Sequence, residues 1–149
     1  MNSAAEARFR IQAVTSYRRA VRVIALDMPG EDVVRRLAKG GWEHTSFLSA
    51  RQEMLHDLAG QPRNLIDEVD TADLVVMIAA PGGLAYTASM IGEACSARRV
   101  MTTGLIVGGI SAPEGDVSKT LMQLRPWSLM VVIADADDYI DHMLAALRG

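Results

Sequence analysis

The chain has 149 residues, of which 50% are hydrophobic and 22% are charged, and its formal net charge is −3. This length fits one domain, residues 1–149, with a full hydrophobic core. The net negative charge argues against nucleic acid as a partner. The one cysteine excludes an internal disulfide framework and a multi-cysteine metal site. No apolar run approaches the roughly 20 residues that span a bilayer, so we expect no membrane partner.

The N-terminal residues 1–19 are predicted to form an amphipathic helix. Their apolar side chains recur at spacings of three or four, a helical period: Ala4, Ala7, Ile11, Val14 and Tyr17. The first residues lack the apolar segment of a secretory signal. We therefore expect a cytoplasmic protein.

The next part of the chain alternates between strand and helix signals. Val21–Leu26 is a short β-branched run that stops at the turn residues 27–30. A helix is predicted over 31–39, because acidic residues come first and basic residues last, which suits the helix dipole. The other elements predicted here are a strand over 45–48, a helix over 49–58 and a helical turn over 65–69.

The second half contains the clearest strand, over residues 73–79. It is continuously apolar rather than alternating, as expected of a strand covered on both faces in a parallel sheet. The elements predicted after it are a helix over 86–97, a strand over 102–107, a helix over 116–124 with Asp116 as N-cap, a strand over 129–134 and a helix over 137–147.

This alternation predicts an α/β fold, a three-layer doubly wound sandwich of five mainly parallel strands in the order 2-1-3-4-5. Ligands of such folds bind beyond the carboxyl ends of the strands, at the switch point between the first and third strands. The expected crevice is lined by the 27–32 and 80–87 loops and, further out, by residues 108–116 and 134–138.

The 80–87 loop is the first candidate binding element. Its glycines, Gly82 and Gly83, let a phosphate approach the backbone, and the following helix presents free N–H groups at its N-terminus. Pro81 shapes the turn, and Thr87 adds a hydroxyl. The same residues also suit a tight strand-to-helix turn with Thr87 in the first helical turn.

The 27–32 loop is the second candidate, with Asp27, Gly30 and Asp32 as ligand contacts. It lacks the Gly-x-Gly-x-x-Gly pattern of dinucleotide binding, and the Walker Lys-Ser/Thr pair is missing as well. Asp27 ends a strand, where it is suited to act as a general base or Mg²⁺ ligand. A capping or turn role for Asp27 and Asp32 is the favoured interpretation.

Gly108 and Asp135 complete the predicted ligand contacts further out along the crevice. Acidic residues around the last helix favour capping over metal binding, so we predict no metal site. The histidines share no motif spacing. Cys95 lies inside a predicted helix and is expected to be a buried structural thiol.

This order of elements resembles the GTPase domain of the tubulin/FtsZ family. In that family a strand leads into a glycine-rich loop that ends in Asn. Here Val23–Leu26 leads into a loop of the same length, which keeps Gly30 and has Asp32 at the Asn position. The family's Gly-Gly-Gly-Thr-Gly-Thr-Gly loop follows an Ala-Asp-hydrophobic strand. Here the glycine loop follows an apolar strand that Ala72 and Asp73 introduce.

Of that family loop, Gly82, Gly83 and Thr87 remain, and the likeness covers roughly residues 21–138. Bulky or acidic residues replace the other glycines: Asp27, Met28, Pro29, Leu84 and Tyr86. The chain ends before the family's long central helix and catalytic acidic loop, so we expect no filament-forming GTPase. The resemblance implies a degenerate, truncated relative that keeps the fold without hydrolysis. A generic Rossmann-like domain fits the same pattern.

The leading hypothesis is a small-ligand or nucleotide-binding domain without evident catalytic machinery, whose partner is a nucleotide or a phosphorylated small molecule. A non-catalytic assembly protein and an enzyme using Asp27 are the alternatives. The sequence identifies no cofactor. We also expect a homo-oligomer, since the N-terminal helix and Trp127 offer apolar surface.

Overall fold

A computed structural model of the chain describes residues 19–83, 87–135 and 137–149. Residues 1–18 of the helix predicted at the N-terminus lie outside the described residues. The described part is an α/β fold with one mostly parallel sheet of seven strands. The strands are β1 (Val21–Ala25), β2 (Thr45–Arg51), β3 (Met54–Asp57), β4 (Pro62–Arg63), β5 (Leu74–Ala79), β6 (Met101–Val107) and β7 (Met130–Ala134).

The sheet order is β4-β3-β2-β1-β5-β6-β7. Neighbouring strands from β2 to β7 in this order are parallel, while β3 and β4 are antiparallel additions beside β2. The predicted number of five strands is therefore wrong. The parallel strands lie in the order β2-β1-β5-β6-β7, which is 2-1-3-4-5 when only these strands are numbered. The switch point therefore lies between β1 and β5.

Helices cover both faces of the sheet. The described α-helices are α1 (Met28–Ala38), α2 (Leu65–Asp70), α3 (Thr87–Ala97), α4 (Glu114–Leu124) and α5 (Asp137–Arg148), and a 3₁₀ turn spans Arg125–Trp127. Val34 of α1 and Leu144 of α5 pack on one face. Val69 of α2, Ile91 of α3 and Leu124 of α4 pack on the other. None of these helices is long and apolar enough to cross a membrane.

Trp127 joins this packing and is only partly exposed. It lies against α3 at Gly92, where an added Cβ would come within 2.5 Å of the Trp127 Cβ. The apolar surface expected from this side chain is therefore largely used inside the chain.

The predicted helix over 49–58 is wrong, because these residues form a β-hairpin. Leu48 and Ala50 lie in the core on one face of the sheet, whereas Phe47 packs against the core on the other, which is a strand period. The turn between β2 and β3 consists of Gln52 and Glu53, at φ 50° and φ 63°. Such left-handed turns normally carry Asn or Gly, so the usual sequence signal of a hairpin is missing.

Helix α1 begins three residues earlier than predicted, with Asp27 as its N-cap. Pro29 fits the first turn, where the N–H that proline lacks would have no partner in the helix. Helix α4 begins at Glu114, so Asp116 lies in its first turn instead of capping it, and Pro113 occupies the N-cap position.

Candidate functional site

The carboxyl ends of β1 and β5 lie side by side, and Asp27 joins the loops that follow them. Its Oδ1 accepts a hydrogen bond from the Gly30 N–H at 2.8 Å. Its Oδ2 accepts one from the Ala80 N–H, also at 2.8 Å. We call this arrangement the Asp27 clamp. It ties together both walls of the crevice that the sequence predicts.

The clamp leaves little space at the glycines beside it. A Cβ at Gly30 would lie 2.6 Å from the carbonyl oxygen of Ile78, a backbone atom that cannot rotate away. A Cβ at Gly83 would lie 3.1 Å from Oδ2 of Asp27. Glycine at position 30 is therefore required by the close approach of the first turn of α1 to β5, with no ligand involved.

Helix α4 holds the other side of the 80–83 loop. Gly82 has φ +85°, and its N–H donates to Oγ1 of the buried Thr120 at 2.9 Å. The Gln123 amide donates to the Gly83 carbonyl at 3.3 Å. A Cβ at Gly82 would meet the Asp116 side chain at 3.1 Å.

These contacts occupy polar groups of the glycine loop, within residues 80–83. The N–H groups of Ala80 and Gly82 already donate within the chain, to Asp27 and Thr120. The carboxyl groups of Asp27 and Asp116 border the loop, and a phosphate close to them would be repelled. Residues 80–83 are therefore better suited to ligand groups that donate hydrogen bonds, such as hydroxyls or amines, than to a phosphate.

Burial raises the pKa of Asp27 above its usual range, although the hydrogen bonds from Ala80 and Gly30 oppose the shift. The carboxyl group thus keeps its proton to a higher pH than an exposed aspartic acid. Both its oxygens hold backbone N–H groups, so the geometry gives Asp27 a structural role as clamp and N-cap.

The remaining predicted contacts also lie around the carboxyl edge, where the parallel strands end. Thr87 begins α3 and is buried, and its hydroxyl has no hydrogen-bond partner in the described part of the chain. Gly108 follows β6 with φ +77°. Asp135 follows β7 and accepts from the Ile110 N–H at 3.4 Å. Asp32 is exposed on α1, and Pro81 is half-buried.

A second polar cluster, which the sequence reasoning missed, surrounds Glu31 of α1. Glu31 is 5% exposed, and its carboxylate accepts from the Arg35 guanidinium at 2.9 Å and from the Ser49 hydroxyl at 3.3 Å. Arg51, the last residue of β2, also donates to both carboxylate oxygens. The cluster thus joins the first turn of α1 to the carboxyl end of β2.

These side chains line a cavity of about 200 Å³, which we call the arginine cavity. Its lining residues are Glu31, Arg35, Ser49, Arg51, His56, Asp57 and Gly60. The Nδ1 atom of His56 is buried and lacks a hydrogen-bond partner among the described residues. Ser49 and His56 are opposite each other in the β2–β3 pair. The helix predicted over 49–58 would not have placed them opposite each other.

The charges of the arginine cavity reinforce one another. The hydrogen bond from Arg51 is the main cause that lowers the pKa of Glu31, and the pKa of Arg51 is raised in turn. Both shifts favour the ionised forms of Glu31 and Arg51. The Arg51 side chain is 55% exposed, so part of its guanidinium faces solvent. Such a group binds carboxylates and phosphates in a bidentate manner.

Other chemistry-bearing residues have structural contacts. Asp137 and Asp141 pair with Arg36 at 3.5 and 3.1 Å, which ties α5 to α1. Cys95 is 1% exposed, and burial raises the pKa of its thiol to about 11, as suits a structural thiol. Within the described ranges, no group of three or more His, Cys, Asp or Glu side chains is placed to hold a metal ion.

No protein-family model matches this chain, and no curated protein matches it.

Proposed function

We propose that this domain binds a small organic anion at the carboxyl edge of its sheet, as a binding domain rather than a hydrolase. The observation that carries the proposal is the arginine cavity, which the side chains of Arg35, Arg51 and His56 line together. Guanidinium and imidazole groups at one cavity are the donors that a phosphate or carboxylate requires.

The size of the arginine cavity suggests how such a ligand is oriented. Whole small-molecule sites measure about 300–1,000 Å³, whereas this cavity holds about 200 Å³. It therefore suits the anionic end of a ligand, such as the phosphate of a nucleotide or of another phosphorylated small molecule. The Glu31 N–H donates to the Asp27 carbonyl at 2.9 Å, so the Asp27 clamp lies directly beside this cluster. We expect the hydroxyl or amino groups of the ligand over the clamp.

Ligand binding can be tested by thermal shift and calorimetry with inorganic phosphate, GTP and ATP. We expect at least one of these probes to stabilise the wild type, and Arg51→Gln to abolish the shift. Arg99→Gln is the matched control, because Arg99 follows α3 at the opposite, amino edge of the sheet. A stabilisation that Arg51→Gln leaves intact would refute the cavity as the anion site.

The position of the rest of the ligand needs a second pair of variants. Gly83→Asp would bring another carboxylate beside Asp27, whereas Gly83→Ala adds only a methyl group at the same place. We expect nucleotide binding to weaken in the aspartate variant far more than in the alanine variant. Equal binding by both variants would remove the glycine loop from the proposed site.

A second candidate function is an enzyme in which Asp27 transfers a proton. The favouring observation is the raised pKa of this carboxyl group at the switch point. Its test is Asp27→Asn together with a circular dichroism check of the fold. Any activity detected in the wild type that persists in a folded Asp27→Asn variant would end this hypothesis.

A further inference from the structure

The guanidinium of Arg51 is bonded to Glu31 along one edge. Its Nε donates to Oε2 of Glu31 at 3.2 Å, and its Nη2 donates to both carboxylate oxygens. Nε and Nη2 form the side edge of a guanidinium, whereas Nη1 and Nη2 form its end edge, with two N–H groups on each Nη atom. In the part of the chain that the structure describes, Nη1 of Arg51 takes part in no hydrogen bond. The end edge is therefore left for another partner.

The two members of this pair differ in exposure. Glu31 is buried, and Arg51 is exposed at the end of β2, where it lines the arginine cavity. Because the side edge of the guanidinium contacts a buried carboxylate, the cavity and solvent reach Arg51 from its other sides. An anion that enters the cavity can thus meet the end edge without first displacing Glu31.

The carboxylate of Glu31 is itself held by its neighbours. Oε1 accepts from Nη2 of Arg35 at 2.9 Å, and Oε2 accepts from the Ser49 hydroxyl at 3.3 Å. Nη1 of Arg35 in turn donates to the Leu58 carbonyl at 3.2 Å. Contacts from α1, from β2 and from the turn after β3 therefore fix the carboxylate, so it can hold the Arg51 guanidinium in one orientation before a ligand arrives.

We propose that Glu31 is a positioning residue, which presents the end edge of the Arg51 guanidinium to the anionic group of the ligand. This inference rests on the anion site proposed above and specifies how its arginine is used. The ligand group has two terminal oxygens that match Nη1 and Nη2, as in a phosphate monoester, while Glu31 stays on Nε and Nη2. An arginine that is already ordered lowers the entropic cost of binding.

Glu31→Gln tests the positioning role, because charge and position predict opposite results. Loss of a negative charge alone would tighten anion binding. Loss of the ordered guanidinium weakens it, and we expect a Kd about tenfold higher, the cost of ordering one long side chain. The measurement is calorimetry with inorganic phosphate, GTP and ATP. Glu53→Gln is the matched control, since it removes an exposed charge two residues from Arg51, outside the cavity lining, and should bind at least as tightly as the wild type.

The outcomes separate this inference from the anion site. Unchanged or tighter binding by Glu31→Gln would overturn the positioning role, and the site itself would stand if Arg51→Gln still abolished binding. Failure of all three probes to bind the wild type would overturn both. Arg51→Lys keeps the charge but has neither edge of the guanidinium, so we expect it to lose most of the affinity. Binding as tight as in the wild type would contradict the proposed use of the end edge.

The Nε–H group of Arg51 provides a readout that does not depend on how well Glu31→Gln folds. Its NMR signal can be assigned by its loss in Arg51→Lys. We expect this hydrogen to exchange slowly with solvent in the free wild type, and to stay protected when the tightest of the three probes saturates the site. Fast exchange in the free protein, or loss of protection on binding, would show that Glu31 does not hold the side edge and would overturn the proposal.

Discussion

The Asp27 clamp and the arginine cavity lie next to each other at the carboxyl edge, but their polar groups are used differently. At the clamp, the carboxylate oxygens of Asp27 and the backbone N–H groups of Gly30 and Ala80 bind one another, so these groups hold the two walls together. At the arginine cavity, the Arg51 side chain is 55% exposed although it pairs with Glu31, and Nδ1 of His56 has no hydrogen-bond partner among the described residues. The binding that we propose for this chain would therefore lie one strand away from the switch point.

Gly30→Ala tests the packing at the Asp27 clamp and should have the largest effect on the stability of the fold. The added Cβ would meet the Ile78 carbonyl at 2.6 Å and Oδ1 of Asp27 at 2.9 Å, which forces the first turn of α1 away from β5. We expect a loss of about 3 kcal/mol in the free energy of unfolding, measured by urea denaturation. Gly115→Ala is the control, because its Cβ meets no atom within 4 Å in helix α4. Equal stability of the two variants would contradict the close packing of the clamp.

Asp27→Asn should have the next largest effect. An amide keeps one acceptor but sets its NH₂ group against a backbone N–H of Gly30 or Ala80. We expect a loss of about 2 kcal/mol, whereas Asp32→Asn, at an exposed position of the same helix, should change little. Thermal unfolding of both variants checks this. Similar melting temperatures for the two would show that Asp27 does not hold the loops together.

The pH dependence of stability distinguishes the Asp27 clamp from the arginine cavity. The pKa of Glu31 is lowered in the fold from 4.5, so its charge stabilises the fold above that pH, and this contribution is lost as the pH falls through the folded value. We expect Glu31→Gln to cost about 1–2 kcal/mol at pH 7 and less in acid. Glu43→Gln, which is exposed, is the control. A constant cost across this range would contradict the ion pairs.

The pKa shift of Asp27 has the opposite sign, because the folded value lies above 3.8. The folded state therefore binds the proton more tightly, and stability from this group declines as the pH rises from 3.8 through the folded value. The cost of Asp27→Asn should accordingly be greatest in acid. Urea denaturation over the same pH series as for Glu31→Gln measures how the cost of each variant changes with pH. If both costs changed in the same direction, the opposite pKa shifts of Asp27 and Glu31 would be contradicted.

The smallest effect is expected at the hairpin turn beside the arginine cavity. Replacing Gln52 and Glu53 with Asn-Gly suits their positive φ angles, so we expect a gain of about 0.5–1 kcal/mol. Glu53→Ala removes the same charge without relieving the backbone and should bring no gain. Calorimetric melting of both variants measures the difference. If Glu53→Ala gave the same gain in stability as the Asn-Gly replacement, the gain would come from the lost charge and not from the backbone.

The sequence predicts the parallel part of the fold well, because Leu74–Ala79 is apolar throughout and glycines or acidic residues follow the strands. It does not predict β3, since Gln52 and Glu53 adopt φ angles that their side chains do not signal. The contacts of Asp27 depend on the distance between two loops, which spacing in the chain does not reveal. For the same reason Glu31 was not singled out, although it is the buried carboxylate that Arg51 reaches from β2.

The β2–β3 hairpin that provides His56 also forms a wall of the arginine cavity. We expect the amide hydrogens of this hairpin, which lies beside the short edge strand β4, to exchange through local opening, without unfolding of the central strands. A bound anion would hold Arg51 on β2 and His56 on β3 together and so oppose this opening. Slower hydrogen exchange of residues 49–57, with unchanged exchange in β5, would then report occupancy of the cavity residue by residue.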